Sequence, residues 1–295
     1  MSISGPHTAD LRARAEALGQ SLPPLLAEAE HLAATVMFGE HGRRRAGLGD
    51  EFWQYRPAHA GDPARMIDWR RSARSDAHFV REREWQAAQS VTIWVDPGKS
   101  MSFSGDKARA PKADRARLIA LATAVLLLRA GERVGLSGQD APARSGRNHL
   151  VRLASVMDGL AEGAEYESPV ADGMAAHGRA LFASDFLGDL TGVEAALATA
   201  AARGVKGVLL QVLDPAEEEF PFDGRTIFES MGGTMRHETL RAGDLRNKYL
   251  ARLAERKDRL SALARAVGWH YHCHHTGGPA QGALLWVYQA LQGGR

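Results

Sequence analysis

From about Gln89 onward, short apolar runs alternate with longer segments rich in alanine and leucine, and this alternation constrains the fold most. The first run, 90–96, reads Ser-Val-Thr-Ile-Trp-Val-Asp, and similar runs follow at 133–137, 179–184, 205–213 and 269–274. Continuous apolar runs of this length are typical of strands covered on both faces. The segments between them have the composition of helices, at 114–130, 148–160, 190–203, 241–267 and 279–291. This order predicts an α/β fold with a doubly wound, mostly parallel sheet.

The preceding part of the chain is charged and aromatic, with little periodicity. We predict two helices and two strand-like pieces in it, at 11–18, 25–37, 67–69 and 78–80. A length of 295 residues allows one or two domains. We therefore expect an N-terminal segment, 1–88, packed on a main sheet domain, 89–295, in which 226–229 could add an edge strand.

The composition narrows the class of function. Lys and Arg total 37 against 35 Asp and Glu, a net charge of +2, whereas dedicated nucleic-acid binders are usually strongly basic. The single cysteine, Cys273, excludes an intramolecular disulfide and a multi-cysteine metal site. The most apolar run, 118–128, has about half of the ~20 residues that a membrane span needs. Residues 1–22 lack the apolar core of a signal peptide, so we expect a cytoplasmic protein with no membrane insertion.

Three predicted strands end in an aspartate: Asp96, Asp185 and Asp214. In open α/β sheets, ligands bind beyond the carboxyl ends of the strands, at the point where the strand order reverses. The sequence therefore predicts that any chemistry of the sheet domain lies at this edge.

The loop after the first sheet strand reads Asp96-Pro97-Gly98-Lys99-Ser100-Met101-Ser102. It resembles the metal-ion-dependent adhesion site of von Willebrand factor type A domains, in which an Asp-x-Ser-x-Ser motif acts with a later Thr and a later Asp. The resemblance implies that Mg²⁺ or Mn²⁺ is held by four residues: Asp96, Ser100, Ser102 and Asp185. Gly98 replaces the middle serine, and no Thr occurs between Thr123 and Thr191, so the Thr ligand is missing unless Ser145 or Ser168 substitutes for it. In the alternative reading Asp96 caps the loop through backbone N–H groups and no metal is held.

A second resemblance rests on the segment before the sheet. Its matching residues are Glu51, Phe52, Arg56, Gly61, Asp62, Arg65, Ile67, Asp68, Trp69, Ser72, Ala73 and Arg74. They are similar to the signature of the bacterial domain-of-unknown-function family 58. Members of that family resemble von Willebrand type A domains and commonly accompany MoxR-type AAA+ ATPases. The resemblance implies a role in assembling or maturing other proteins, with such an ATPase as partner.

The charged residues of this segment allow three readings. In the first, an ion network packs the N-terminal segment on the sheet domain, with Phe52 and Trp69 as apolar anchors, because Arg pairs carboxylates through two parallel bonds. The members of the network would be Glu51, Asp62, Arg65, Asp68 and Arg74. The same surface could recognise a partner protein. Nucleic-acid binding is disfavoured because acids are interleaved with the arginines.

A histidine-rich strand offers another candidate metal site, His270, His272 and His274. These side chains would share one face, but along a straight strand they are too far apart to converge on one ion. The sequence contains no nucleophile elbow and no phosphate-binding glycine loop. We therefore expect a non-enzymatic protein-binding module, with a metal-dependent hydrolase built on the three strand-end aspartates as the alternative. A scaffold whose metal site has degenerated is a third possibility.

Overall fold

The computed structural model describes residues 23–39, 52–59, 67–74, 77–83, 88–139, 141–171, 173–233 and 236–293. In chain order its helices are α1 (Pro24–Gly39), α2 (Trp69–Ser72), α3 (Lys112–Arg129), α4 (Arg147–Asp158), α5 (Thr191–Ala202), α6 (Pro215–Glu219), α7 (Gly243–Ala266) and α8 (Ala280–Gln292). The strands are β1 (Phe52–Pro57), β2 (Phe79–Arg83), β3 (Ser90–Val95), β4 (Arg133–Leu136), β5 (Arg179–Ser184), β6 (Lys206–Leu213), β7 (Thr226–Glu229), β8 (Arg236–Thr239) and β9 (His270–His275). A short 3₁₀-helix at Lys99–Ser102 follows β3.

Five strands form one sheet in the order β4-β3-β5-β6-β9, and each neighbouring pair is parallel. The chain runs from β3 to β4 on one side and then to β5 on the other, so the strand order reverses between β3 and β5. The central strands β5 and β6 are buried along nearly their whole length, because helices cover both faces. The predicted fold class, a doubly wound parallel α/β sheet, is confirmed.

Two apolar cores lie on opposite faces of the sheet. On one face α1, α3, α4 and α8 pack together over side chains such as Ile93, Leu181 and Val208. On the other face α5 and α7 cover a core that includes Trp94, Phe182 and Trp269. Phe182 and Trp269 have ring centroids 4.9 Å apart, and the Trp269 indole donates a hydrogen bond to the Val205 carbonyl oxygen.

The described residues divide into two compact units. The sheet unit contains α1 together with the residues from Gln89 onward, and the signature unit lies within His41–Ala88. Pro24 opens α1, as is common at the first helical position, and Leu26 and Ala33 of this helix belong to the sheet unit's core. The predicted helix at 11–18 lies outside the described residues, and the domain boundaries stay a prediction.

The signature unit has more regular structure than its composition indicates. Strand β1 pairs antiparallel with β2, with an irregularity between Phe52 and Gln54. The sequence signals predicted strand-like pieces only at 67–69 and 78–80 in this segment, so the strand at 52–57 was missed. Trp69 begins helix α2 instead of continuing a strand, because the Asp68 side chain accepts a hydrogen bond from the Arg71 backbone N–H and caps the helix.

The run at 226–229 is a strand, but it pairs antiparallel with β8 in a separate two-stranded sheet. The partner strand reads Arg-His-Glu-Thr and has no apolar alternation, which explains why the sequence did not indicate it. Among the helices of the described residues, none is long and apolar enough to cross a membrane.

Candidate functional site

Asp96 lies directly after β3, at the point where the strand order reverses. Its side chain is 2% exposed, and both carboxylate oxygens are already bonded within the chain. The Gly98 backbone N–H donates to Oδ1 over 2.7 Å, and the Ser184 hydroxyl donates to Oδ2 over 2.5 Å. Burial raises the pKa of Asp96 to about 6, with these two hydrogen bonds opposing the shift.

Asp185 lies at the end of the neighbouring strand β5 and faces a lysine. The Lys112 Nζ is 2.8 Å from Asp185 Oδ2 and 2.6 Å from Glu217 Oε1. The Lys112 side chain has no exposed surface, and that of Asp185 is 1% exposed. Burial alone would lower the pKa of Lys112, but the two carboxylates outweigh it and the pKa is raised. The edge of the sheet therefore contains a buried ion triad, which we define as Lys112, Asp185 and Glu217.

Each acid of the triad is also held by the backbone. Asp185 Oδ1 accepts a hydrogen bond from the Leu187 N–H over 3.0 Å. Glu217 Oε2 accepts one from the Asp214 N–H over 2.8 Å, as part of the capping box that begins α6. Burial raises the pKa of Glu217, although Lys112 opposes the shift. The two carboxylates therefore have fixed positions before any ligand arrives.

Asp214, the third strand-end aspartate, has a structural role. Its side chain accepts a hydrogen bond from the Ala216 N–H and caps α6. Arg109 and Thr276 each donate to its Oδ2 over 3.1 Å. Burial would raise the pKa of Asp214, but these bonds outweigh it and the pKa is lowered.

The loop after β3 is covered by a second segment of chain, which we call the strap (163–167). Backbone hydrogen bonds of 2.9 Å join Gly163 to Pro97, Lys99 to Ala164 and Ser100 to Glu165. A Cβ on Gly98 would lie 2.8 Å from Asp96 Oδ1, 3.1 Å from the Glu165 carbonyl oxygen and 3.2 Å from the Glu167 backbone nitrogen. The Asp96 carboxylate and the strap together therefore account for the glycine at the position where the adhesion-site motif has serine.

The two predicted serine ligands have different surroundings. The Ser102 hydroxyl donates to Glu162 Oε1 over 3.3 Å, on the exposed side of the loop. The Ser100 hydroxyl is buried, and among the described residues it has no hydrogen-bond partner.

Taken together, these donors do not fit a divalent cation. Mg²⁺ and Mn²⁺ prefer several oxygen ligands in octahedral geometry. Asp185 already binds an ammonium, both oxygens of Asp96 are bonded, and Ser102 bonds to Glu162. Within the described ranges, no group of three or more His, Cys, Asp or Glu residues could hold a metal. The predicted metal set, Asp96, Ser100, Ser102 and Asp185, stays a prediction that these contacts do not favour.

Sequence reasoning missed Lys112 and Glu217, although one signal was present. Lys112 is the first residue of α3, directly after Pro111. A cation at a helix N-terminus is disfavoured by the helix dipole, so a buried lysine there needs acidic partners. A lysine at the start of a predicted helix is therefore a sequence signal for acidic partners elsewhere in the chain.

The histidines of β9 do not form a shared site. The ring of His272 stacks on Trp286 with centroids 4.6 Å apart, whereas His274 is buried beside Arg115. Burial and the Arg115 charge lower the pKa of His274 to about 4.

The signature residues of the described segment serve local structure. The Ser72 hydroxyl donates to the Asp68 carbonyl oxygen and accepts from the Phe79 N–H, both over 2.9 Å. Ala73 ends α2, and Arg74 is exposed. Trp69 is 59% exposed, and its ring meets His78 edge-on. Its role as an apolar anchor stays a prediction.

The other signature residues can be located only in part. Phe52 and Arg56 belong to β1, and Ile67 precedes α2. Glu51, Gly61, Asp62 and Arg65 lie outside the described residues, so the predicted ion network is untested.

The fold and its edge define a doubly wound α/β module with a buried charge network at the carboxyl ends of its strands. Residues 54–259 match the family described as Protein of unknown function DUF58, and the chain belongs to that family. It is 30% identical over 208 residues to an uncharacterised protein of Mycobacterium tuberculosis, a match that covers 66% of this chain. The match spans 64% of the relative's length.

Two solved structures are similar to the chain. An aerotolerance-related membrane protein from Bacteroides fragilis is 15% identical, with a TM-score of 0.42, and the match covers 70% of this chain and 100% of that one. The hypothetical protein BatB from Bacteroides thetaiotaomicron is 14% identical, with a TM-score of 0.38 and the same coverage.

Proposed function

We propose that this protein is a non-enzymatic protein-binding module that acts with a MoxR-type AAA+ ATPase in the assembly or maturation of other proteins. The family resemblance is the reason for naming such an ATPase as the partner. The contacts at the carboxyl edge of the sheet support the mode of binding. Because such an ATPase requires ATP, the proposal places the pair in the cytoplasm.

One observation carries the non-enzymatic part of the proposal: every strand-end aspartate is bonded within the chain. Asp185 pairs with Lys112, Asp214 pairs with Arg109, and Asp96 is bonded to Ser184 and Gly98. A general base or nucleophile must reach the substrate, and buried carboxylates with bonded oxygens are poorly placed to do so. Such a network instead fixes the loops at this edge, so that neighbouring exposed residues can contact a partner.

The rim beside β3 and β4 offers a surface for a partner. A cavity of about 280 Å³ opens at the carboxyl ends of these strands. Its lining combines apolar and polar side chains, among them Pro97, Met157, Leu160, Glu167 and Val170. Val170 is 43% exposed there, and an apolar side chain of the ATPase could insert beside it.

The test is a capture experiment in which the full chain is immobilised. A MoxR-type AAA+ ATPase from the same organism is added with ATP, without nucleotide, or with EDTA and no nucleotide. We expect retention without nucleotide, no loss in EDTA when no nucleotide is present, and weaker retention with Val170→Asp. Lys206→Asp is the matched control, because Lys206 is exposed at the opposite, amino end of β6. No retention under any nucleotide condition would overturn the proposed partner.

The alternative, a metal-dependent hydrolase, has one observation in its favour. The pKa of Asp96 is about 6, within the range that suits a general acid or base. Hydrolysis of a generic phosphate ester that disappears with Asp96→Asn, and that requires Mg²⁺ or Mn²⁺, would support this alternative against the binding module.

A further inference from the structure

The buried ion triad places a positive charge beside Asp185, one of the four residues to which the adhesion-site resemblance assigns a divalent cation. Asp185 is the residue that corresponds to the last metal ligand of that site, and its Oδ2 lies 2.8 Å from the Lys112 ammonium. Glu217 lies 2.6 Å from the same nitrogen, so the ammonium already has two anionic oxygens as neighbours. Lys112 therefore meets the charge requirement that a metal would otherwise meet.

We propose that the Lys112 ammonium is a built-in replacement for the divalent cation at this edge, and that it makes the edge independent of metal. The proposal deepens the proposed function, because it explains how a module of this class would bind partners without a metal. It makes the triad a permanent part of the fold, formed by residues of α3, of the loop directly after β5 and of α6.

Burial excludes a loosely held surface pair. Lys112 has no exposed surface and Asp185 is 1% exposed, so neither charge can be solvated by bulk water. The ammonium also lies 5.6 Å from the centroid of the Phe103 ring, which adds a cation–π contact. A buried charge of this kind is tolerated only when its partners are in place, and here they are.

The position of Lys112 in its helix is unfavourable for a cation. Lys112 is the first residue of α3, where the helix dipole favours anions and disfavours cations. Its position is explained by Asp185 and Glu217, since no local helix preference would select it. The Ser100 hydroxyl, on the loop after β3, is buried and, within the described part of the chain, without a hydrogen-bond partner.

The same edge provides a matched control. Arg109 also forms an ion pair with a strand-end aspartate, Asp214, over 3.1 Å, and its side chain is 28% exposed. Asp214 keeps its bonds to Thr276 and Ala216 when Arg109 is removed. Arg109→Ser therefore removes a nearby cation without freeing the carboxylate that corresponds to a metal ligand.

The experiment is calorimetric titration of the metal-stripped full chain with Mn²⁺, for the wild type, Lys112→Ser and Arg109→Ser. We expect no binding by the wild type or Arg109→Ser. We expect one site in Lys112→Ser, with an affinity at least about tenfold above the detection limit of the wild-type titration, because the freed carboxylate oxygens suit a hard cation. Adding Asp185→Asn to Lys112→Ser should abolish that site.

Two results would overturn the proposal. The first is Mn²⁺ binding by the wild type that is lost with Asp96→Ala, which would place a metal at the edge beside the lysine. The second is a folded Lys112→Ser variant that binds no Mn²⁺.

If Lys112→Ser does not fold, the wild-type titration still decides, together with amine labelling. Lys112 should resist an amine-reactive reagent equally with Mg²⁺ or EDTA, whereas the exposed Lys107 reacts. Labelling of Lys112 that changes with metal would contradict the proposal. Capture of the ATPase is a separate measurement. Failure to capture it would contradict the proposed function, whereas metal binding by the wild type would contradict the replacement of the cation by Lys112.

Discussion

The carboxyl edge of the sheet and the signature unit are both rich in charged residues, yet they use them differently. At the edge, Lys112, Asp185 and Asp96 are almost fully buried and are bonded to one another or to neighbouring groups. In the signature unit, Asp68 caps a helix while Trp69 and Arg74 are exposed. Charges inside a fold must be paired, whereas charges at its surface are free to serve recognition. The comparison predicts large stability effects at the edge and small ones in the signature unit.

The largest effect is expected from Lys112→Met. Removing the ammonium leaves the buried Asp185 and the partly buried Glu217 without a cation, and breaking a buried pair in this way costs about 3–5 kcal/mol. Urea unfolding followed by circular dichroism measures the loss. Lys107→Met is the control, because Lys107 is exposed on the adjoining loop. A loss as small as the control's would show that the edge tolerates an unpaired carboxylate, and the comparison between the two regions would fail.

The second prediction concerns pH at the edge. The folded-state pKa of Asp96 is raised from 3.8 to about 6, so the folded state binds more protons than the unfolded state between these values. Stability contributed by this group therefore falls as pH rises from about 4 to about 6. We expect Asp96→Asn to remove that fall in urea unfolding measured across the window.

His274 provides the opposite sign for comparison. Its folded-state pKa is lowered from 6.5 to about 4, so the unfolded state binds more protons between these values and stability rises with pH. The variant His274→Gln should therefore lose a rising contribution where Asp96→Asn loses a falling one. If both variants changed the pH dependence in the same direction, the assignment of one of the two groups would be wrong.

The fold followed from the sequence because its signals are local. The runs that became β3, β5 and β6 are apolar over nearly their whole length, and glycines such as Gly131 and Gly204 follow the intervening helices. The strand-end aspartates could be placed at one edge because parallel strands bring their carboxyl ends together.

The chemistry of that edge did not follow from the sequence. Lys112 and Asp185 are 73 positions apart, and Lys112 and Glu217 are 105 apart, so no motif spacing connects them. The pairing depends on how α3 and α6 approach β5, which only the folded chain fixes. The strand pattern therefore placed Asp96 and Asp185 at the same edge of the sheet, while the lysine that pairs with Asp185 comes from a distant part of the sequence.

A smaller effect is expected from Asp68→Ala in the signature unit. The substitution removes the side-chain acceptor for the Arg71 N–H and should cost about 1 kcal/mol of local stability. Hydrogen exchange at 69–74 would report the loss, and Asp68→Asn should largely preserve protection because its amide oxygen can still accept the bond. Equal loss in both variants would show that the charge of Asp68 matters more than its role as a cap.

The smallest effect on stability is expected from Trp69→Ala, and it tests the meaning of an exposed signature residue. Trp69 is 59% exposed, and its ring contact in this unit is with His78. Removing a largely solvated side chain should change the free energy of unfolding by less than about 0.5 kcal/mol. If the same variant weakens capture of the ATPase, recognition rather than folding explains the tryptophan. A destabilisation comparable to that of Lys112→Met would instead show that Trp69 is buried in the working protein, and the contrast between the two regions would disappear.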